Sequence, residues 1–314
     1  MKEEPKKTHV YLRPVQELYN PASKLTIRPK TKGLFVHEPH CIYAEAYGIA
    51  LTMDIFKPIG KSNGIGIIDV VSNGWFSDRH QLIQHIGLGL YDVLCGQGYC
   101  VFALSPGSIQ IFNGIQMIHN VQAGIQFIIR NADRFDIDKN RLGIMGISAG
   151  GHLAMNALLR EPKFIGSATD GIKFLYEYIK TIALFCSPVD LLSFYSMTTS
   201  SWEIQTILLR LIRKKSFLED EIEPPAEEIE PRLKDLSPFF FPFEDITSPP
   251  SVFLFHGTKD SLVPFSQSEH FYKKLKSYQW NCNLITKENV EHIWKDMSRD
   301  FDYLGKQFSM QLTK

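Results

Sequence analysis

The 314-residue chain is 44% apolar, enough for a sizeable core, and its 34 basic residues balance 34 acidic ones, so no net charge draws it to nucleic acid or to an anionic membrane. Five scattered cysteines (Cys41, Cys95, Cys100, Cys186, Cys282) form no C-x-x-C pair and no zinc spacing, and read as small buried hydrophobes. The N-terminus has no apolar signal core and no run of eighteen apolar residues occurs, so no membrane span is expected; the chain as it stands is expected to be cytoplasmic, or secreted or periplasmic had a leader been removed.

Residues 1–40, polar and rich in Lys and Pro, are expected to form an arm, with a single folded domain over 41–314. "CIYAEAY" and "IALTMDIF" predict two strands around Gly48. Apolar runs then alternate with periodic helical stretches: a strand over 65–71, a helix over 79–98, a strand over 99–104, a helix over 114–132, the strand "RLGIMGI" and a helix from Ala149. "TIALFC", a strand over 251–256, a helix over 265–277, "NCNLI" and a last helix complete the series. This alternation predicts an α/β fold whose mostly parallel sheet is covered on both faces, with its sites at the carboxyl ends of the strands. Residues 193–247 interrupt the rhythm with "SWEIQTILLRLIRK", an acidic Pro-rich stretch and the aromatic run Phe239 to Phe241, and are expected to form a cap. The acidic stretch reads as a solvated surface.

Gly146-Ile147-Ser148-Ala149-Gly150 satisfies G-x-S-x-G between an apolar strand and a helix, the context in which the pattern marks a strained turn that exposes a nucleophilic serine. An incidental serine at a Gly-rich junction is the bland alternative. A serine needs a base, and the base needs a carboxylate to fix its tautomer. Asp260 in "FLFHGTKDSLVP" and His292 in "ITKENVEHIWKD" each follow a strand, and the chain order Ser, Asp, His suits such a site.

Asp190 also follows a strand and is the alternative orienting carboxylate, against a role as a helix cap. His152, one turn beyond Ser148, is read as a packing or hydrogen-bonding residue. His119 is read as core or surface, and His256 as a support for the Asp260 loop. His37, His40, His80, His85 and His270 show no constellation around them, and no spacing argues for a metal or a cofactor.

"GISAGGHLA", "HGTKDSLVP", "LTMDIFKP" and "FDIDKNRLGIMG" together resemble the esterase/lipase group of the α/β-hydrolase superfamily, which contains hormone-sensitive-lipase-like, acetyl-esterase and feruloyl-esterase-like enzymes; the likeness covers roughly residues 41–310. That group usually carries His-Gly-Gly-Gly-Trp where this chain has Val71-Ser72-Asn73-Gly74-Trp75, and often a glycine before the histidine where this chain has "NVEHIW". The backbone amides of Ala149, Asn73 and Gly74 are therefore the candidate oxyanion donors. Trp75 and Trp294 adjoin catalytic elements and are candidates for lining the substrate pocket; Phe76, Trp202 and the Phe239 to Phe241 run are weaker ones.

The expected activity is hydrolysis of small carboxylic esters through an acyl-enzyme, fading below about pH 6 as the histidine protonates. A prolyl-oligopeptidase-type exopeptidase shares the triad order but normally carries a large N-terminal propeller, for which this chain leaves no room. A weakly catalytic binding protein on the same fold is the alternative from another class. No nucleic-acid or membrane-spanning partner is expected, and homo-oligomerisation is left open.

Overall fold

The computed structural model describes residues 34–162, 174–198, 200–214 and 223–312. Strands β1 (Phe35–Ala46) and β2 (Ile49–Pro58) form an antiparallel hairpin turned by Tyr47 and Gly48, both at positive φ (54° and 72°), the geometry that matches strand twist in a two-residue turn. Six more strands follow: β3 (Gly66–Val70), β4 (Cys100–Leu104), β5 (Leu142–Ile147), β6 (Ile179–Phe185), β7 (Ser251–Gly257) and β8 (Cys282–Lys287). The sheet order is β1-β2-β4-β3-β5-β6-β7-β8, and every pairing among β3 to β8 is parallel. All residues of β3, β4 and β5 are buried, because helices cover both faces; hence their apolar runs, interrupted only by Asp69 of β3.

Ten α-helices complete the layers: α1 (Arg79–Gly87), α2 (Leu90–Gly96), α3 (Gly114–Arg130), α4 (Ala132–Phe135), α5 (Ala149–Leu159), α6 (Leu191–Met197), α7 (Trp202–Ile212), α8 (Ala226–Asp235), α9 (Ser266–Ser277) and α10 (Met297–Leu312), counted among the described residues. Ile68 and Val70 of β3 join the core beneath α3, α5 and α9, through side chains such as Met117, Leu153 and Phe271. Ile67 of β3 and the adjoining Val71 face the opposite core, built from Leu82, Tyr91, Phe301 and Phe308 of α1, α2 and α10. This is the period-two alternation of a strand packed on both sides.

Two boundaries differ from the sequence reading. Residues 35–40, expected within the arm, belong to β1, where Phe35 pairs with Pro58 and its ring meets Phe56 edge-on at 5.1 Å. The polar residues that hid this strand have partners on the sheet edge: Glu38 meets Lys57 and Arg134, and His37 meets Asp54. The helix expected over 79–98 is two helices, broken at Gly89, whose φ of 81° lies in the left-handed region that a helix cannot propagate through.

The order of the strands fixes where a site can form. After β4 the chain crosses β3 and continues outward on its other side as β5, so the loops after β3 and β5 open away from each other at the carboxyl edge. Those loops carry Asn73 to Phe76 and Ser148. Between β6 and β7 lies the insertion, with α6, α7, α8 and two short 3-10 turns at 238–240 and 243–245.

Candidate active site

Ser148 follows β5 and begins α5 with φ 54° and ψ −123°, a backbone region that costs a non-glycine residue roughly 1–3 kcal/mol. Its N–H donates to the Phe185 carbonyl at 2.7 Å, and the Gly150 N–H donates to the Ser72 carbonyl at 2.8 Å, so the turn is tied to the ends of β6 and β3. A Cβ at Gly146 would lie 2.3 Å from the Gly150 carbonyl carbon, and one at Gly150 would lie 2.2 Å from the Val70 oxygen. The bare surroundings of the serine are thus a steric requirement. Ser148 is 8% exposed.

Asp260 lies past β7 with both carboxylate oxygens occupied. Oδ1 accepts from the N–H groups of Leu262 (2.9 Å) and Val263 (2.8 Å), while Oδ2 accepts from His292 Nδ1 at 2.7 Å and sits 3.1 Å from His256 Nε2. His256 is anchored in turn by Ser268 Oγ (2.7 Å) and the Val263 carbonyl (2.9 Å), so it supports the loop and touches the carboxylate directly. The segment carrying His292 follows β8 and reaches back to β6, where the Cys186 thiol donates to the His292 carbonyl at 3.0 Å. Cys186 adjoins Phe185, the residue that accepts the Ser148 N–H. Ser148, Asp260 and His292 thus each follow a strand, β5, β7 and β8, at the carboxyl edge of the parallel sheet, with the Asp260–His292 bond formed. Among the described residues Ser148 Oγ makes no hydrogen bond.

Burial favours the uncharged imidazole of His292, but the neighbouring Cys186 sulfur and the Asp260 carboxylate outweigh it and raise its pKa above the ordinary histidine value. Burial likewise opposes ionisation of Asp260, and its hydrogen bonds from His256, His292 and the Val263 N–H outweigh that and hold its carboxyl well below the usual carboxylate range. The ligand atoms of Cys186, Asp260 and His292 converge within 4.8 Å of one another, the one such group among the described residues. With both Asp260 oxygens already accepting hydrogen bonds, the group is filled by the Asp–His pair rather than open for an ion.

The loop after β3 differs from expectation. The Asn73 N–H donates to the Phe76 carbonyl, and the Phe76 N–H returns to the Asn73 carbonyl, both at 3.0 Å. The expected donor at Asn73 is therefore occupied, because a tight two-residue turn closes across it. Gly74 and Trp75 form that turn with φ of 55° and 63°, and among the described residues their N–H groups and that of Ala149 have no partner. The Asn73 side chain faces α1 and donates to Gln81 Oε1 (2.9 Å) and Gln84 Oε1 (2.7 Å).

A cavity of about 940 Å³ opens on Ser148. Its apolar wall comes from Phe112, from Phe194 of α6 and from Ile204 and Ile207 of α7; its polar wall comes from Thr52, Ser77, Arg79, Gln84 and Ser108. Trp75 lines it, as do Asn73 and Gly74. Trp294 does not: it is 6% exposed, donates from its indole to Asp300 at 2.7 Å and packs near Phe185. Its closeness to His292 in sequence is lost because the chain turns inward before α10. Trp294→Phe is expected to leave KM within about twofold of the parent while lowering stability by roughly 1.5–3 kcal/mol, the worth of a buried bond to a carboxylate, as denaturant unfolding beside substrate titration will read.

Of the other candidates, Asp190 caps α6 through a 2.9 Å bond from the Ser193 N–H. His152 is fully buried and bonded, as described below. Two constellations escaped the sequence reading. His37 and Arg79 both bind Asp54 at 2.6 Å, with His40 against the Arg79 guanidinium. His85 Nδ1 (2.8 Å) and the Tyr91 hydroxyl (2.7 Å) meet Asp69. The signal for the second was an aspartate inside the apolar run of β3, which required a buried partner.

A sequence model of the BD-FAE family matches residues 53–275, well over half of the chain. The chain belongs to the BD-FAE family. Among curated proteins, this BD-FAE chain is 28% identical over 176 residues to a probable isoprenylcysteine alpha-carbonyl methylesterase of Oryza sativa subsp. japonica, covering 56% of this chain and 40% of that one. It is 26% identical to the isoprenylcysteine alpha-carbonyl methylesterase of Arabidopsis thaliana, over 56% and 39% of the two chains. It thus spans about two fifths of the length of the curated relatives it matches. Among solved structures, a truncated carbohydrate esterase from gut microbiota superposes with a TM-score of 0.70 at 21% identity, covering 91% of this chain and all of that one. A butyrate-bound esterase of Thermogutta terrifontis superposes with a TM-score of 0.65 at 19% identity, over 88% and 94%. The BD-FAE chain has the α/β-hydrolase fold, and its likenesses lie in the esterase group. Among the described residues no helix is long and apolar enough to cross a membrane.

Proposed function

We propose that the protein is a serine hydrolase that cleaves carboxylic esters of small substrates through an acyl-enzyme. The observation that carries the reading is a serine in a strained strand-to-helix turn that opens on a cavity, with an imidazole bonded at 2.7 Å to a buried carboxylate at the same carboxyl edge of the sheet. With substrate bound, Ser148 Oγ attacks the ester carbonyl as His292 Nε2 takes its proton, and the carbonyl oxygen becomes an oxyanion held by the amides of Ala149, Gly74 and Trp75. Collapse breaks the C–O bond, the alcohol leaves with the proton from His292, and water activated by the same imidazole releases the acid. Asp260 keeps the Nδ1–H in place throughout.

The mixed walls of the cavity suit an ester with one apolar and one polar part. The methylesterase names of the curated relatives are consistent with a small leaving alcohol. Labelling of Ser148 by a fluorophosphonate, together with turnover of short acyl, aryl and methyl esters against peptidyl amides, tests the reading. Amide cleavage without ester cleavage, or no labelling, would refute it.

The raised pKa of His292 has a signed consequence. The base must be neutral, so kcat/KM is expected to rise with pH through an apparent pKa above the ordinary histidine value of about 6.5. A midpoint below about pH 6 would contradict the assigned surroundings of the imidazole.

A further inference from the structure

Three residues of α5 at helical spacing, His152, Asn156 and Arg160, grip the carboxyl end of α8 in the insertion. His152 Nε2 lies 2.8 Å from the Leu236 carbonyl, Asn156 Nδ2 donates to that same oxygen at 3.0 Å, and Arg160 binds the Asp235 carbonyl and pairs with its carboxylate at 3.3 Å. Residues four apart share one helix face, and the positive end of the ladder meets the negative end of α8. At its other end the ladder reaches the loop after β3. The Trp75 indole N–H can only donate, and it lies 3.2 Å from His152 Nδ1, with the two rings edge-on at 5.5 Å. That bond fixes the tautomer: Nδ1 accepts from Trp75, so the proton is on Nε2 and is donated to Leu236. Burial lowers the imidazole to about 4, so this neutral form is the one present near neutrality.

Trp75 is a residue that needs holding. Its φ of 63° is unusual for a bulky side chain, and such a conformation persists only where the surroundings impose it. Besides the His152 bond, its carbonyl accepts from the Ile109 N–H at 2.9 Å. On the far side, α8 holds α7 through Arg232, which donates to the Ile212 carbonyl at 3.1 Å, and α7 supplies Ile204 and Ile207 to the cavity wall.

We propose that His152 is a positioning residue that couples the seating of the insertion on α5 to the backbone geometry of Gly74 and Trp75, so that the oxyanion donors are in place when α8 is docked. The role of those donors rests on the hydrolase reading above; the coupling itself does not.

The test compares Trp75→Phe, His152→Gln and Arg160→Ala with the parent, with active sites counted by fluorophosphonate titration. Trp75→Phe keeps a ring and loses the indole N–H. It is expected to lower kcat per titrated site about tenfold with KM within about twofold, and the Trp75→Phe/His152→Gln pair is expected to fall no further than the weaker single variant. A role in stability alone would reduce the number of titratable sites and leave kcat per site at the parental value. That result, or losses that multiply in the pair, overturns the proposal.

Arg160→Ala lies outside the cavity and is expected to speed amide exchange in 226–236 and also in 72–77. Loosening of 226–236 with 72–77 at parental protection overturns the coupling. Should His152→Gln fail to fold, Trp75→Phe and Arg160→Ala carry the test through the same exchange measurement. Exchange requires no turnover, so a parent inert toward esters would count against the hydrolase reading and leave the coupling to be judged on its own.

Discussion

Ser148→Ala is expected to lower ester turnover by about 10⁴-fold or more, roughly 5.5 kcal/mol of transition-state stabilisation at 1.36 kcal/mol per decade. The variant should fold as the parent does. Ser148 Oγ has no hydrogen-bond partner among the described residues, and the strained backbone is imposed by the bonds to Phe185 and Ser72 rather than by the hydroxyl. Unfolding free energy should therefore stay within about 0.5 kcal/mol. Turnover of p-nitrophenyl acetate, measured beside an unfolding curve, checks both halves. A variant as active as the parent would require another nucleophile.

Asp260→Asn is expected to lower kcat by roughly 10⁴-fold, and here stability falls too. Both oxygens of Asp260 only accept: two backbone N–H groups face Oδ1, and the two histidines face Oδ2. An asparagine must turn its NH₂ toward one of these pairs. Facing the loop, it meets the donors of Leu262 and Val263; facing the histidines, it forces the His292 proton onto Nε2, where the ring can no longer accept from serine. One buried donor left unsatisfied costs about 1–3 kcal/mol. The pH dependence should change as well. A carboxyl whose folded pKa is depressed adds stability that is present above its unfolded value and is lost as pH falls through the folded one, so the variant should lack this contribution to acid unfolding. An Asn variant with parental kcat would remove Asp260 from the site.

The mostly parallel sheet, and the placement of Ser148, Asp260 and His292 after three of its strands, were legible because their signals are local: an apolar run, then a turn, then the residue. The details that failed depend on contacts that sequence distance conceals. Trp294 stands two positions from His292, yet its indole points to Asp300 in the opposite core. Asn73 could be expected to donate only while nothing revealed that Phe76 folds back on it. His37 and His85 looked solitary because Asp54 and Asp69 lie on other strands or elements. The spacing of His152, Asn156 and Arg160 was visible, but their shared partner is a helix end some eighty residues away. Strand β1 was shortened because an edge strand keeps polar residues on its open side, which blurs its pattern.

The parallel arrangement of β3 to β8 also governs how the molecule comes to life. Parallel neighbours close only after long stretches of chain have been threaded between them, so this topology folds slowly. His292 follows the outermost strand, β8, while Ser148 follows β5 near the centre. A nascent chain can therefore form the turn that carries Ser148 before the segment that carries His292 has been made, so in the proposed hydrolase the base would arrive after the serine.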